Sequence, residues 1–297
     1  ELSHKLKMAL GCLAQGHAAL LLLLPSVLGL RVGSKLGSKS QAPVEPSLAS
    51  DYDFIMGNAQ EQTFSKEALL EDIALAHQYQ KKSDALWGTL DQESFKNYVL
   101  PYQVATEAPS KWRAEFHEKF WPEVKDKSKK EAVRFLNRAA FSYLNVSYKA
   151  DYPGHKPDQN PSESRDLHYA SCTGLSIILV SACRSVGVPA RLAMTPAWVT
   201  TSQPEEGKNG LSAKDQNHSW VEVFVDGKWH YVGASEDTAL DKTWFTAQAS
   251  KAKRRSEGDY KHSIYAVTYA KSDDTLPAPW DESKTVNVIE VVDRYSK

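Results

Sequence analysis

Only three cysteines occur in 297 residues, and none sits in a C-x-x-C pair, so neither a disulfide framework nor a zinc cluster is indicated. Charge of one sign is equally scarce. Lys and Arg total 36 against 37 acidic residues, which leaves no basic surplus for the phosphates of a nucleic acid. There is no EF-hand loop, no glycine-rich phosphate loop and no internal repeat, so no metal and no cofactor is expected. What is present is an ordinary globular composition, 41% hydrophobic and 25% charged. Its length suits two domains, or one large domain with additions.

The most informative stretch runs from Ser171 to Gly187, SCTGLSIILVSACRSVG. Its apolar run is too long for a single strand, Ser171 is a good N-cap, and Gly187 supplies a left-handed stop. A buried helix is expected, with Cys172 in its first turn. Free backbone N–H groups and the positive end of the helix dipole stabilise a thiolate there, which should draw the thiol pKa from about 8.5 toward neutrality. Cys183 falls mid-helix among Val180, Ala182 and Val186 and reads as inert packing. Eleven helical residues separate the two thiols by about 16 Å, beyond the ~7 Å that a disulfide tolerates.

A second stretch supplies a base. Val221, Val223 and Val225 alternate with Trp220, Glu222 and Phe224, the period of a half-buried strand. Asp226-Gly227 then leads into Lys228-Trp229-His230-Tyr231-Val232, and Asp-Gly between two such runs predicts a type I′ hairpin. His218 opens the first strand, on the face opposite the valines.

Together these residues resemble the transglutaminase-like core, a branch of the papain-like thiol enzymes. The motifs are Cys172 opening a helix, Gly-Val-Pro-Ala-Arg at 187–191, and His218-Ser-Trp-Val-Glu-Val with Asp-Gly-Lys-Trp behind it. Leu100-Pro101-Tyr102, Trp112-Arg113, Gly233-Ala234-Ser235-Glu236, Trp244-Phe245 and Val292-Asp293-Arg294-Tyr295 are similar to its secreted bacterial branch, and the likeness covers about residues 65–297. The resemblance implies an α+β fold: an N-terminal helical layer, then a nucleophile helix packed on an antiparallel sheet. It also implies cysteine-dependent acyl transfer or hydrolysis on peptide amides, with Cys172 as nucleophile and His218 as base.

At the third position the chain departs from the pattern. The resemblance implies an orienting aspartate four residues after Trp229, where this chain has Gly233. Glu236, or failing it Asp237, could take that role if the strand bulges or ends there. The secreted branch is similar in having Gly-Ala-x-Glu, which favours Glu236. Without such an acid the alternative is an inactive binding or scaffold domain. The Cys172 N–H is the natural first oxyanion donor, whereas Gln103, Gln159 and Tyr169 all remain open as the second.

Along the chain, residues 1–35 read as a secretory signal or membrane-targeting segment, because Lys5 and Lys7 precede an apolar run of about 13 residues. Any membrane anchoring would run through that segment alone, and the setting would be secreted, periplasmic or cell-surface. Residues 36–60 read as a linker and 61–145 as a helical layer. In that layer Ser65 caps one helix, Ser128 and Glu131 form a capping box, and Pro122 ends a segment. Residues 146–260 are the expected core, entered by a long loop carrying His155 and His168. Residues 261–297 turn strand-like and read as the start of a further, truncated β domain. The expected partner is a protein or peptide substrate.

Overall fold

The computed structural model describes residues 46–59, 63–153, 156–199 and 217–296. The N-terminal segment 1–35, much of the proposed linker and His155 lie outside these described residues. The helices are α1 (Pro46–Asn58), α2 (Lys66–Trp87), α3 (Gln92–Tyr98), α4 (Arg113–Val124), α5 (Lys129–Leu144), α6 (Pro161–Leu167), α7 (Cys172–Ser185) and α8 (Thr246–Ala249). The strands are β1 (Ser147–Tyr148), β2 (Tyr169–Ala170), β3 (Ala190–Thr195), β4 (His218–Val225), β5 (Lys228–Val232), β6 (Tyr265–Val267), β7 (Thr275–Ala278) and β8 (Asp281–Glu290). The fold is α+β, with a six-stranded antiparallel sheet in the order β5-β4-β3-β6-β8-β7.

Helix α7 is the axis of the core. Every residue from Thr173 to Ser185 is buried, as a helix apolar on all sides must be. Ser171 Oγ accepts the Gly174 N–H and so closes the N-terminus. At the other end Gly187 takes φ 76°, and a Cβ there would stand 2.5 Å from the Ser83 Cβ, so α2 also requires glycine. Arg184, itself buried, donates to the carbonyls of Pro101, Gln103 and Ala190, binding the helical layer and β3 to α7. Cys183 is buried, and that burial pushes its thiol up to about 12, consistent with inert packing.

Local signals in the sequence recur where they were expected. Ser65 caps α2, Ser128 and Glu131 form their reciprocal box on α5, and Asp226 and Gly227 both have positive φ in the β4–β5 hairpin. Valines 221, 223 and 225 face α7, whereas Trp220 joins a second core with Phe245, Tyr231 and Tyr295.

Four expectations need correction. The segment 46–58 is helix α1 rather than linker, with Ile55 fully buried against the α2 core. Pro122 lies inside α4, in its last turns, where the helix runs on to Val124. The loop before Cys172 contains α6, opened by an Asn160–Glu163 capping box with Pro161 at its first position. Finally, residues 261–297 do not begin a separate domain. Strand β6 pairs directly with β3, and the Tyr295 hydroxyl donates to the buried Glu222 while accepting from Trp220 Nε1.

Candidate active site

Cys172 occupies the first position of α7 and is only partly exposed, while the thirteen residues behind it are buried. Its sulfur faces the backbone N–H groups of Thr173 and Ser219, and the Thr173 and Ser219 hydroxyls lie 3.0 Å apart. The helix tip is thereby fastened to the start of β4, one residue from His218. That contact joins two segments 46 residues apart in the chain.

The electrostatics differ from expectation. Desolvation pushes the Cys172 thiol above its ordinary value, despite the N–H donors that favour the thiolate. The imidazole of His218 is pulled down to about 3 by burial alone. Both shifts favour the uncharged forms, against the thiolate that the helix dipole alone would favour. Burial outweighs the dipole because the sulfur is enclosed by α7 and β4.

Four aromatic rings enclose His218. Phe245 lies 4.9 Å from it, Trp244 5.0 Å, Trp220 5.8 Å and Trp198 6.0 Å, centroid to centroid. Nε2 of the ring is buried and has no hydrogen-bond partner among the described residues. No hydrogen bond joins the ring to the Cys172 sulfur in this arrangement. Strict alternation along β4 explains this, since Ser219 points to the α7 face and His218, like Trp220, to the other.

Glu236 does not reach His218, the role expected of it. Strand β5 ends at Val232, the Glu236 N–H bonds back to the Gly233 carbonyl at 3.2 Å, and Ser235 takes φ 67°. This turn folds the Glu236 side chain over Gly233. A Cβ on Gly233 would lie 2.0 Å from Oε1 and 2.1 Å from Cδ. The carboxylate thus fills the space that a side chain at position 233 would occupy. It faces the backbone N–H and indole of Trp244 rather than His218, and burial raises its pKa. Asp237 turns away toward Arg134 and Arg138 at 3.8 and 3.6 Å.

Sequence reasoning missed the residue that holds this turn. Asn137, buried on α5, donates to the Gly233 and Glu236 carbonyls and accepts the Ser235 N–H at 2.9 Å. Its polarity inside the apolar stripe of α5 was the available signal. Trp198 gave none, because its neighbour His218 follows 20 residues later. Of the three oxyanion candidates, Gln103 Nε2 is committed to the Glu107 carbonyl at 2.5 Å, and Tyr169 is exposed on β2. Gln159 is fully buried beside α7. His168 is an exposed left-handed cap of α6 and contacts Asn145. A cleft of about 680 Å³ between α5, Tyr169 and Ser235 runs alongside, but Cys172 and His218 do not line it.

Residues 118–234 match the family model of the transglutaminase-like superfamily. These residues are similar to that superfamily. The match spans α5 through β5, and therefore both the thiol helix and the His218 hairpin. No curated protein matches the sequence. Among solved structures, the chain is similar to a candidate cysteine protease from Cytophaga hutchinsonii, at 14% identity and a TM-score of 0.33, over 68% of this chain and 64% of that one. It is also similar to a TGase at 14% identity and a TM-score of 0.27, over 73% of this chain and 42% of the other. The chain thus spans less than two thirds of either structure's length. Strands β6, β7 and β8 extend the sheet beyond the matched residues.

Proposed function

We propose that this chain carries out cysteine-dependent acyl transfer or hydrolysis on peptide amides, with Cys172 as nucleophile, His218 as base and Glu236 as the acid that orients the imidazole. The observation that carries this reading is the docking of a part-exposed thiol, alone at the tip of an otherwise buried helix, on the strand start that bears His218. A sulfur there has N–H donors beside it and an imidazole on the next residue.

In the proposed reaction the His218 ring turns toward α7 and takes the Cys172 proton as the sulfur attacks the amide carbon. The carbonyl π pair moves to oxygen, and the intermediate collapses to a thioester while His218 protonates the leaving amine. Water or a second amine then releases the acyl group. The neutral resting pair assigns a task to Glu236. A carboxylate at the orphaned Nε2 would raise the imidazole's basicity, so approach of Glu236 from Trp244 toward His218 would switch on proton abstraction. The basic start and apolar run of residues 1–35 support export as the setting, and no described helix is long and apolar enough to cross a membrane.

Alkylation by iodoacetamide tests the reading. Alkylation of Cys172 should depend on His218 as the proton acceptor, so His218→Ala should slow it. An ordinary thiol pH profile that ignores the substitution would refute the reading. One observation favours a second interpretation, a scaffold domain without catalysis: no acid or amide touches His218 Nε2. That interpretation requires the ordinary profile.

A further inference from the structure

Trp244 stands against both groups that the proposed reaction must bring together. Its backbone N–H and indole face the Glu236 carboxylate, and its ring lies 5.0 Å from the imidazole of His218, centroid to centroid. Acid and base therefore share a neighbour without meeting. Burial is the one cause acting on the His218 imidazole, so no charged side chain among the described residues acts on it. Its buried Nε2 has no partner among them either. A buried polar atom left so is costly, and a carboxylate is the group that would satisfy it. Asp237, the other acid of the turn, is occupied with Arg134 and Arg138. Glu236 is the acid at hand, and Trp244 engages it.

The indole is placed to move by itself. Trp244 is 58% exposed, whereas Phe245 beside it is fully buried in the core that holds Trp220 and Tyr231. The two rings stand nearly perpendicular, at 86° and 5.5 Å. The backbone around them is tied down. Asp241 N–H donates to the Tyr231 carbonyl at 2.9 Å, Thr243 N–H to Thr246 Oγ1 at 3.1 Å, and Ala249 N–H to the Phe245 carbonyl at 2.8 Å. A ring more than half in solvent, on a fixed backbone, changes place by side-chain rotation, which is fast for exposed residues. When it turns, the indole N–H leaves the carboxylate while Phe245 keeps its place in the core.

We infer that Trp244 is a positioning residue: its indole keeps the Glu236 carboxylate off His218, and rotation of that ring lets the two meet. The assignment rests on Cys172, His218 and Glu236 acting as proposed above. Once released, the carboxylate accepts a hydrogen bond from Nε2–H, and its charge raises the basicity of Nδ1, which takes the Cys172 proton. Removing the indole should therefore speed the thiol, where loss of an ordinary packing residue slows it.

Alkylation of the full chain by iodoacetamide tests this. The sulfur bonds to the methylene carbon, iodide leaves, and the thiol proton passes to His218. Trp244→Phe keeps a ring beside His218 and removes the indole donor. It should react about tenfold faster than wild type at pH 7, with the acid side of its rate–pH profile displaced upward by about one unit, because a nearby carboxylate favours the protonated imidazole. Trp244→Leu should behave alike, which guards against a contact peculiar to phenylalanine. Adding Glu236→Gln to either variant should remove both effects and return the rate of Glu236→Gln alone. Unchanged or slower alkylation in both variants would overturn the assignment. Acceleration that survives Glu236→Gln would overturn it too, reducing Trp244 to a cover over the thiol. If His218→Ala leaves wild-type alkylation unslowed, the base reading itself fails, and that failure is distinct because it appears with Trp244 in place.

Discussion

Gly233→Ala isolates the contribution of Glu236 without altering a single catalytic group. The added Cβ would lie 2.0, 2.1 and 2.6 Å from Oε1, Cδ and Oε2 of Glu236, against the roughly 3.5–4.0 Å of ordinary contact. The carboxyl group must therefore retreat by about 1.5 Å, and the backbone at 233 has no positive φ to forbid alanine. Because the displaced atoms are the end of a half-buried side chain, the loss in stability should stay near the low end of overpacking, about 1 kcal/mol. Misplacing an orienting group by about 1 Å can lower a rate 10²-fold. Acylation of Cys172 by p-nitrophenyl acetate should accordingly fall about 10²-fold in Gly233→Ala and equally in Glu236→Ala, near 2.7 kcal/mol of barrier each. The double variant should be no slower than either alone, a coupling of the full 2.7 kcal/mol in the mutant cycle. Stopped-flow acylation with a parallel urea titration measures both quantities. Losses that multiply, or full activity in Gly233→Ala beside a defective Glu236→Ala, would refute the idea that the carboxylate approaches His218 from the space over Gly233.

Three further outcomes follow from groups elsewhere in the fold. His117 donates from Nδ1 to the Ser185 carbonyl at 2.8 Å and accepts from the Lys82 ammonium at 3.1 Å, and burial lowers its pKa from 6.5 to about 4. The unfolded chain then binds a proton that the folded one refuses. Stability is full above pH 6.5 and falls between pH 6.5 and 4 by about 3 kcal/mol, and His117→Phe should flatten that slope in urea melts. Glu222 and Arg191, both 1% exposed, form a buried ion pair at 2.6 Å that Arg294 joins, so Glu222→Gln should cost about 3–5 kcal/mol of unfolding free energy by leaving guanidinium charge uncompensated. Tyr295→Phe removes a hydroxyl that serves both Trp220 and Glu222, and a loss of about 1–3 kcal/mol by thermal denaturation is expected.

Signals that act over a few residues were readable without coordinates. Ser171 caps α7 because a serine side chain reaches an N–H three residues on, and that reach does not depend on the rest of the fold. Asp226-Gly227 makes its turn because both residues tolerate positive φ. The capping box at Asn160 and Glu163 was equally legible, but the Pro and Asn residues around it gave the weight to a loop. Helix α1 was obscured because its segment lies beside a Ser-, Gly- and Pro-rich run, and its order comes from burying Ile55 rather than from propensity. Likewise nothing local says whether β6 begins a new sheet or pairs with β3.

The sequence by itself determined the elements: a thiol at a helix tip, an imidazole at a strand start, a hairpin and the alternation that sends valines one way and His218 the other. Only the tertiary structure decided the relations among them. It put the Glu236 carboxylate in the side-chain space of Gly233, pinned that turn with Asn137 from 96 residues away, and left Nε2 of Gln159 and of His218 without partners among the described residues. The physical reason is one of range. Caps and turns are governed by backbone geometry over three or four residues, whereas protonation and orientation depend on which distant groups exclude water from a site. Burial of the Cys172 sulfur between α7 and β4 overrode the helix dipole for that reason, and no inspection of either segment alone could have revealed it.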